Sequence, residues 1–418
     1  MDIKRKIKKA QAQLGIEQLR KFQIDPINSI LEQEDTFVVT PPSEGKSAIY
    51  QVPALIFPGV TLVIEPTLLL IYDQDANLQL HGISTAYIDY SMTLQETLDV
   101  LKKAQNEKIK FLFVTPERLQ NQMFRKEISS VSISLVVIDE AHCVSSWGNG
   151  FRSSYLQIGE FIDMLPDSPI TVALTSLSTP QMCDEICERL SMKQPSIFIY
   201  SRHRPNLYFT KRTCASNENK FKRLERMLRR RKYLYCVIYC NTVKMVDDVY
   251  EKVNEWHPGK VVKWHSNLDT QERKKNALLF FNGKKRIMVA TSAFQVGVDH
   301  FDINLVIHFN LPLSLMEYYQ QVGRAGRTGL NAKCVLLHSK NDYLVNLSII
   351  NSTNNEVEKE RMLAELEQMK EYANGSGCLT QQILFALGEV RDKPCGQCTN
   401  CQKKKKRSGE RKTELLDS

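Results

Sequence analysis

The 418-residue chain lacks any run of about 18 apolar residues, the length needed to cross a bilayer as a helix. Its N-terminal stretch MDIKRKIKKAQAQL is basic, with no apolar segment behind it, which argues against a secretory leader. Without a leader and with an odd total of eleven cysteines, a disulfide framework is not expected, and a reducing compartment is. Composition is ordinary for a soluble globular protein, 42% hydrophobic and 25% charged, and the length suits two or three domains. Lys and Arg (56) outnumber Asp and Glu (47), a net charge of +9 that favours an anionic polymer as partner.

The chain is organised around residues 135–152. Leu135 to Ile138 read as a buried strand, and Asp139 and Glu140 stand where it stops. In a parallel α/β sheet, ligands sit beyond the carboxyl ends of the strands, and an acidic pair there suits Mg²⁺ and a water attacking a phosphate. Trp147, Phe151 and Arg152 follow, two aromatic faces and a fixed cation able to stack on unpaired bases. By themselves these residues also fit a buried strand ending in a solvated acidic turn.

Upstream, Leu14, Leu19, Phe22, Ile27 and Ile30 form a candidate buried stripe on one or two helices, with Arg20 and Gln23 among them. Thr36 to Thr40 read as a strand running into Pro41-Pro-Ser-Glu-Gly-Lys-Ser47 and a helix-compatible segment. Strand, tight loop and helix is the layout of a phosphate-binding loop, in which Gly45 shapes the turn, Lys46 reaches the β/γ oxygens and Ser47 holds Mg²⁺. Thr40 occupies the place of the first glycine of the full motif, so Gly-Lys-Ser alone leaves a chance match open. Further strands are expected at Thr61–Pro66, Lys110–Arg118 (ending in a polar turn) and Pro169–Thr175, alternating with helix-length segments.

Residues 200–215 contain Pro205 and few apolar side chains and read as an inter-domain linker; a basic helix, Lys220 to Lys232, follows. A second alternation begins with strands at Tyr233–Tyr239, Val261–Trp264, Arg286–Ala290 and Asn304–Asn310. It ends in Gln320-Gln-Val-Gly-Arg-Ala-Gly-Arg327. Two lobes of this kind create a cleft. Placed on a helix, Arg324 and Arg327 would share one face and suit phosphate oxygens, although a surface arginine pair has the same spacing. Residues 340–377 read as helical. Cys378, Cys395, Cys398 and Cys401 then offer four thiolates at Cys-x-x-Cys spacing, a closed tetrahedral Zn²⁺ site.

In this order the motifs resemble those of the RecQ family of DNA helicases, within superfamily 2. Asp139-Glu-Ala-His142 is similar to its Walker B motif, and Cys143 to Tyr155 to its aromatic-rich loop. Arg20-x-x-Gln23 is similar to its adenine-reading motif and Gln320 to Arg327 to its motif VI. Thr115-Pro-Glu-Arg118, Arg202-x-Arg-Pro-Asn-Leu207 and the cysteine spacing also match. The resemblance implies an α/β fold of two tandem RecA-like lobes with parallel sheets, followed by a small helical zinc-binding module. The implied boundaries are 1–204, 205–340 and 341–402, with a basic tail at 403–418; the winged-helix and HRDC domains of many RecQ proteins are not expected.

It further implies ATP, Mg²⁺ and Zn²⁺ as cofactors and 3′-to-5′ movement on single-stranded or forked DNA in repair or recombination. In this reading Arg20, Gln23, Gly45, Lys46, Ser47 and Gln320 bind nucleotide. Asp139 and Ser47 hold Mg²⁺, Glu140 handles the attacking water, and Arg324 and Arg327 are catalytic, with Arg327 as the arginine finger that reaches the γ-phosphate. Trp147, Phe151 and Arg152 sense DNA. A monomer inside the cell is expected, nuclear in a eukaryote and in the cytoplasm or nucleoid of a bacterium.

Several positions depart from the family. Ser43-Glu44 replace phosphate-loop glycines, Ser146, Asn149 and Gly150 replace Gln, His and Asp, and Thr175-Ser-Leu-Ser178 replaces Thr-Ala-Thr-Ala. Gln295 replaces Gly, and Cys378-Leu-Thr380 replaces Cys-Arg-Arg. The departures bear on rate and DNA coupling more than on fold, and leave two competitors: a DNA-binding scaffold with weak or no ATP turnover, and an RNA-directed helicase.

Overall fold

Short apolar runs ending in polar residues become thirteen strands among the described residues of a computed structural model, which describes residues 2–42, 44–89, 92–145, 153–229, 235–294 and 303–407. The chain folds as two compact units, Met1–Arg202 and His203–Ser418.

The first unit holds β1 (Thr36–Val39), β2 (Val60–Ile64), β3 (Thr85–Ile88), β4 (Phe111–Val114), β5 (Ile133–Ile138), β6 (Ile170–Thr175) and β7 (Ser196–Ile199). They pair in parallel in the order β3-β4-β2-β5-β6-β1-β7. Parallel neighbours need crossovers, and the helical segments between the strands supply them. Val38, Val63, Phe111, Phe113, Leu135, Val137, Val172 and Leu174 project to one face. There they pack on Ala10, Leu14, Ile27 and Ile30 of the first two helices, Ile3–Gln13 and Lys21–Leu31, and on Ile49, Tyr50 and Val52 of helix Ser47–Ala54. The alternate residues, among them Phe37, Val39, Leu62, Ile64, Val136 and Ile138, are fully buried too. The sheet is therefore covered on both faces, which is why these strands read as unbroken apolar runs. Each such Leu, Ile or Phe contributes about 1.5–3 kcal/mol by leaving water.

The second unit holds β8 (Leu207–Thr213), β9 (Cys236–Tyr239), β10 (Val261–Trp264), β11 (Ile287–Ala290), β12 (Leu305–His308) and β13 (Ala332–His338), parallel in the order β10-β11-β9-β12-β13-β8. The linker expected at 200–215 is corrected here: Leu207–Thr213 is the edge strand β8, paired with β13 over seven residues. Its alternation was masked because an inward position is Lys211, whose ammonium donates 2.7 Å to the Tyr372 carbonyl. Helices Lys340–Asn351, Glu356–Asn374, Leu379–Ala386 and Thr399–Arg407 complete the unit. In helix Asn217–Leu228, Lys220 is buried and bonds both oxygens of Asp342 at 2.6 and 2.7 Å.

Of the seven scattered cysteines, six are buried and Cys187 is half-buried; none forms a disulfide. Among the described residues no helix is long and apolar enough to cross a membrane.

Candidate nucleotide site, arginine turn and zinc centre

Strand order brings the phosphate loop and the acidic pair together. The loop after β1 and the turn after β5 flank β6 at the carboxyl edge of the first sheet. Gly45 has φ +76°, and a Cβ there would crowd Gln23 Nε2 at 3.3 Å, so glycine suits this turn on both counts. Lys46 caps helix Ser47–Ala54. Its ammonium lies 3.2 Å from Asp139 Oδ1 and 3.6 Å from Glu140 Oε1. Burial works against the charge on Lys46, but Asp139, Glu140 and Glu65 together outweigh it and hold the pKa above the ordinary lysine value. Burial raises the Asp139 carboxyl, with Lys46 pulling the other way.

Glu140 adopts a left-handed conformation, φ 48° and ψ 45°, which costs a non-glycine residue about 1 kcal/mol. The turn directs its backbone N–H onto Asp139 Oδ1 at 2.8 Å and its carboxylate onto His142 Nδ1 at 3.3 Å. His142 Nδ1 is also 3.1 Å from Thr175 Oγ1, whose own proton goes to the Leu177 carbonyl at 2.9 Å. Thr175 therefore accepts, and Nδ1 must carry a hydrogen. Burial opposes a charge on His142, yet Cys143 and Glu140 beside it carry its pKa up to about 10. The carbonyl of Ser178, in the same loop, accepts from buried Arg202 Nη1 at 2.8 Å.

Gln23 closes a capping box with the Arg20 N–H (2.8 Å) and donates to the Gly45 carbonyl at 2.8 Å. Arg20 donates to the Glu44 carbonyl at 3.0 Å and forms an ion pair with the Glu44 carboxylate. Ser47 Oγ accepts from Gln74 Nε2 at 3.0 Å, and Gln74 Oε1 accepts from Gln51 Nε2 at 3.1 Å. The oxygens of Ser47, Asp139 and Glu140 are hard donors of the kind Mg²⁺ takes. Arg20, Gln23, Gly45, Lys46, Ser47, Asp139 and Glu140 thus gather at one edge. Glu65, Gln74, His142 and Thr175 join them, residues to which the sequence reading gave no role. The signal for Glu65 and Thr175 was their place at the ends of apolar strands. Trp147, Phe151 and Arg152 lie outside the described residues, as do the departures at Ser43, Ser146, Asn149, Gly150 and Gln295.

In the second unit, Gln320 sits half-buried on helix Leu315–Val322, which ends at Gly323. Arg324 and Arg327 are therefore not on a helix, a correction to their expected shared helical face. They lie on a turn in which the Gly326 N–H bonds the Ile303 carbonyl at 2.9 Å. Gly326 has φ +59°, and a Cβ there would meet Asn206 Nδ2 and the Leu330 carbonyl at 2.6 Å, so the helix cannot continue through it. Burial pushes the hydroxyl of Tyr239, the last residue of β9, up to about 12, with Arg324 and Arg327 drawing it down.

The Cys378, Cys395, Cys398 and Cys401 sulfurs lie within 4.8 Å of one another. Tetrahedral zinc with Zn–S bonds of about 2.3 Å needs sulfurs a little under 4 Å apart, so a small contraction seats the ion. Backbone N–H groups already point at the sulfurs, Cys395 to Cys378 at 3.2 Å, Cys398 to Cys395 at 3.3 Å and Leu379 to Cys398 at 3.4 Å. Such donors stabilise thiolates. The cluster fits zinc.

Residues 20–186 match the DEAD/DEAH box helicase family, 219–329 the helicase conserved C-terminal domain, and 340–402 the RecQ zinc-binding domain. The ATP-dependent DNA helicase RecQ of Bacillus subtilis is 35% identical over 93% of the chain, and that of Haemophilus influenzae 34% over 93%. The chain spans 65% and 62% of the length of those two relatives. A putative ATP-dependent RNA helicase, R290 of Acanthamoeba polyphaga mimivirus, is 32% identical over 93% of the chain and 70% of its own length. Among solved structures, the DUF1998 helicase MrfA bound to DNA and AMPPNP superposes with a TM-score of 0.68 (17% identity, 92% of this chain, 56% of that one). Dbp5 of S. cerevisiae bound to RNA and ADP BeF3 gives 0.65 (17% identity, 86% and 97%). At such identities the superpositions speak for the two-lobed RecA-like fold alone. With three family domains in order and relatives above 30% identity along nearly its whole length, the chain belongs to the RecQ family of helicases.

Proposed function

We propose that the chain is an ATP-dependent DNA helicase or translocase moving 3′ to 5′, with residues 1–204 and 205–340 as motor lobes and 341–402 as the zinc module. The observation that carries the reading is Lys46 seated against Asp139 and Glu140, with Arg20 and Gln23 bonded to the same loop. Lys46 and the N–H groups at the start of helix Ser47–Ala54 neutralise the β- and γ-phosphates, and Arg20 and Gln23 read adenine. Mg²⁺, held through Ser47 and Asp139, supplies charge neutralisation on the phosphate oxygens when bound. Glu140 orients the attacking water and accepts its proton, with His142 fixing the carboxylate. Gln320, Arg324 and Arg327 contact the nucleotide and offset the charge on the transferred phosphoryl group. Trp147, Phe151 and Arg152 stack on single-stranded DNA.

Steady-state ATP hydrolysis with and without single-stranded DNA or RNA tests this, together with strand displacement on 3′- and 5′-tailed duplexes. Stimulation by DNA, lost in Lys46→Ala, and displacement from the 3′ tail are expected. The mimivirus relative is named as an RNA helicase, so RNA belongs in the assay; stimulation by RNA alone overturns the DNA assignment. Stimulation by neither polymer points to a scaffold.

A further inference from the structure

Arg204, two residues beyond Arg202, is 4% exposed. Its guanidinium donates to three carbonyls of the arginine turn: Gly323 at 3.2 Å, Ala325 at 3.0 Å and Gly326 at 2.7 Å. Asn206 Nδ2 adds bonds to Gly326 and Leu330, each at 2.9 Å. Backbone bonds fix the clamp itself: the Leu207 N–H donates to the Arg204 carbonyl at 3.2 Å and the Ala332 N–H to the Asn206 carbonyl at 2.9 Å. Between them, the Pro205 carbonyl accepts from Gln397 Nε2 at 2.8 Å, on the zinc knuckle.

A planar guanidinium suits this task. Three carbonyls at the end of a helix and the start of a turn present partial negative charge, and only a forked donor satisfies several at fixed angles. The ammonium of lysine has the charge without the fork. The turn so held carries Arg324 and Arg327 on either side of Ala325 and Gly326, whose carbonyls take three of the clamp's five bonds.

We propose that Arg204 and Asn206 are positioning residues for Arg324 and Arg327. They hold the backbone of residues 323–330 in the conformation that presents the two guanidinium groups to the phosphoryl group. The proposal rests on the reading of Arg324 and Arg327 as nucleotide-contacting residues given above. A finger misplaced by about 1 Å loses much of its effect on the transition state while ground-state binding survives.

The test uses the full chain with its metal and two separate readouts. Amide hydrogen exchange in residues 323–330 reports the clamp alone. Asn206→Ala and Arg204→Lys should speed exchange there while leaving the phosphate loop unchanged; unchanged exchange at 323–330 overturns the proposal whatever the kinetics. The second readout is a double-mutant cycle on ATP turnover at saturating DNA. Asn206→Ala should lower kcat about ten-fold while affinity for a fluorescent ATP analogue stays within about two-fold, and in an Arg327→Ala background it should change kcat by less than about two-fold. Equal losses in both backgrounds would mean a merely structural role and overturn the proposal. If Arg327→Ala alone left kcat intact, the reading of Arg327 would fall, while the exchange measurement still decided the clamp. Asn206 is only half-buried, so its variant carries the test should Arg204→Lys fail to fold.

Discussion

The Arg20 guanidinium and the Glu44 carboxylate form an ion pair across 24 positions of sequence, tying the residue before helix Lys21–Leu31 to the phosphate loop. Glu44 stands where the family has glycine. A carboxylate there both repels an incoming triphosphate and occupies the arginine assigned to adenine. Glu44→Gly should therefore lower the KM for ATP by about three- to ten-fold, the range expected for releasing one partly exposed pair and one like charge. Nucleotide titrations check this; weaker binding in the variant would refute the latch.

Lys46→Ala removes the cation seated between Asp139 and Glu140. ATP turnover should fall at least 100-fold, about 3 kcal/mol of transition-state stabilisation. DNA-stimulated hydrolysis at the parent rate would remove Lys46 from the site.

Burial raises Glu365 to about 7, against the pull of Arg361 and with Glu317 adding to it. A carboxyl whose folded pKa exceeds its unfolded value binds its proton more tightly in the folded state. Its contribution is complete below about pH 4.5 and is lost as pH rises through 7. Glu365→Gln should thus gain about 1–3 kcal/mol relative to the parent at pH 8 but little at pH 5, read from denaturant melts at both. An equal effect at the two values would exclude a raised Glu365.

The four-cysteine cluster should bind one zinc per chain, measured by metal analysis. Cys398→Ser or prolonged chelation should lower the melting temperature by about 5–10 °C, because closing the site on the ion stabilises only the folded chain. Full thermal stability in a demetallated sample would deny the ion a structural role.

Much of this molecule could be read along the chain because the signals are local. Doubly covered strands need unbroken apolar runs, so β2, β4, β5 and β6 were apparent; a zinc knuckle needs its ligands at short spacing, so the four cysteines were apparent. Lys46 and Asp139, 93 positions apart, meet because the parallel order sets β1 and β5 on either side of β6, an outcome of sheet pairing. The strand at Leu207–Thr213 escaped notice since its buried Lys211 is satisfied by carbonyls far along the chain. Arg324 and Arg327 have helical spacing, yet the positive φ of Gly326 and the bonds from Arg204 and Asn206 put them on a turn. Residue types and spacing alone determined the family, the sheet-forming runs and the metal ligands. Tertiary structure decided which distant groups neutralise one another and what holds the arginines, since hydrogen bonds and buried charges are satisfied by whatever the fold brings within about 3 Å.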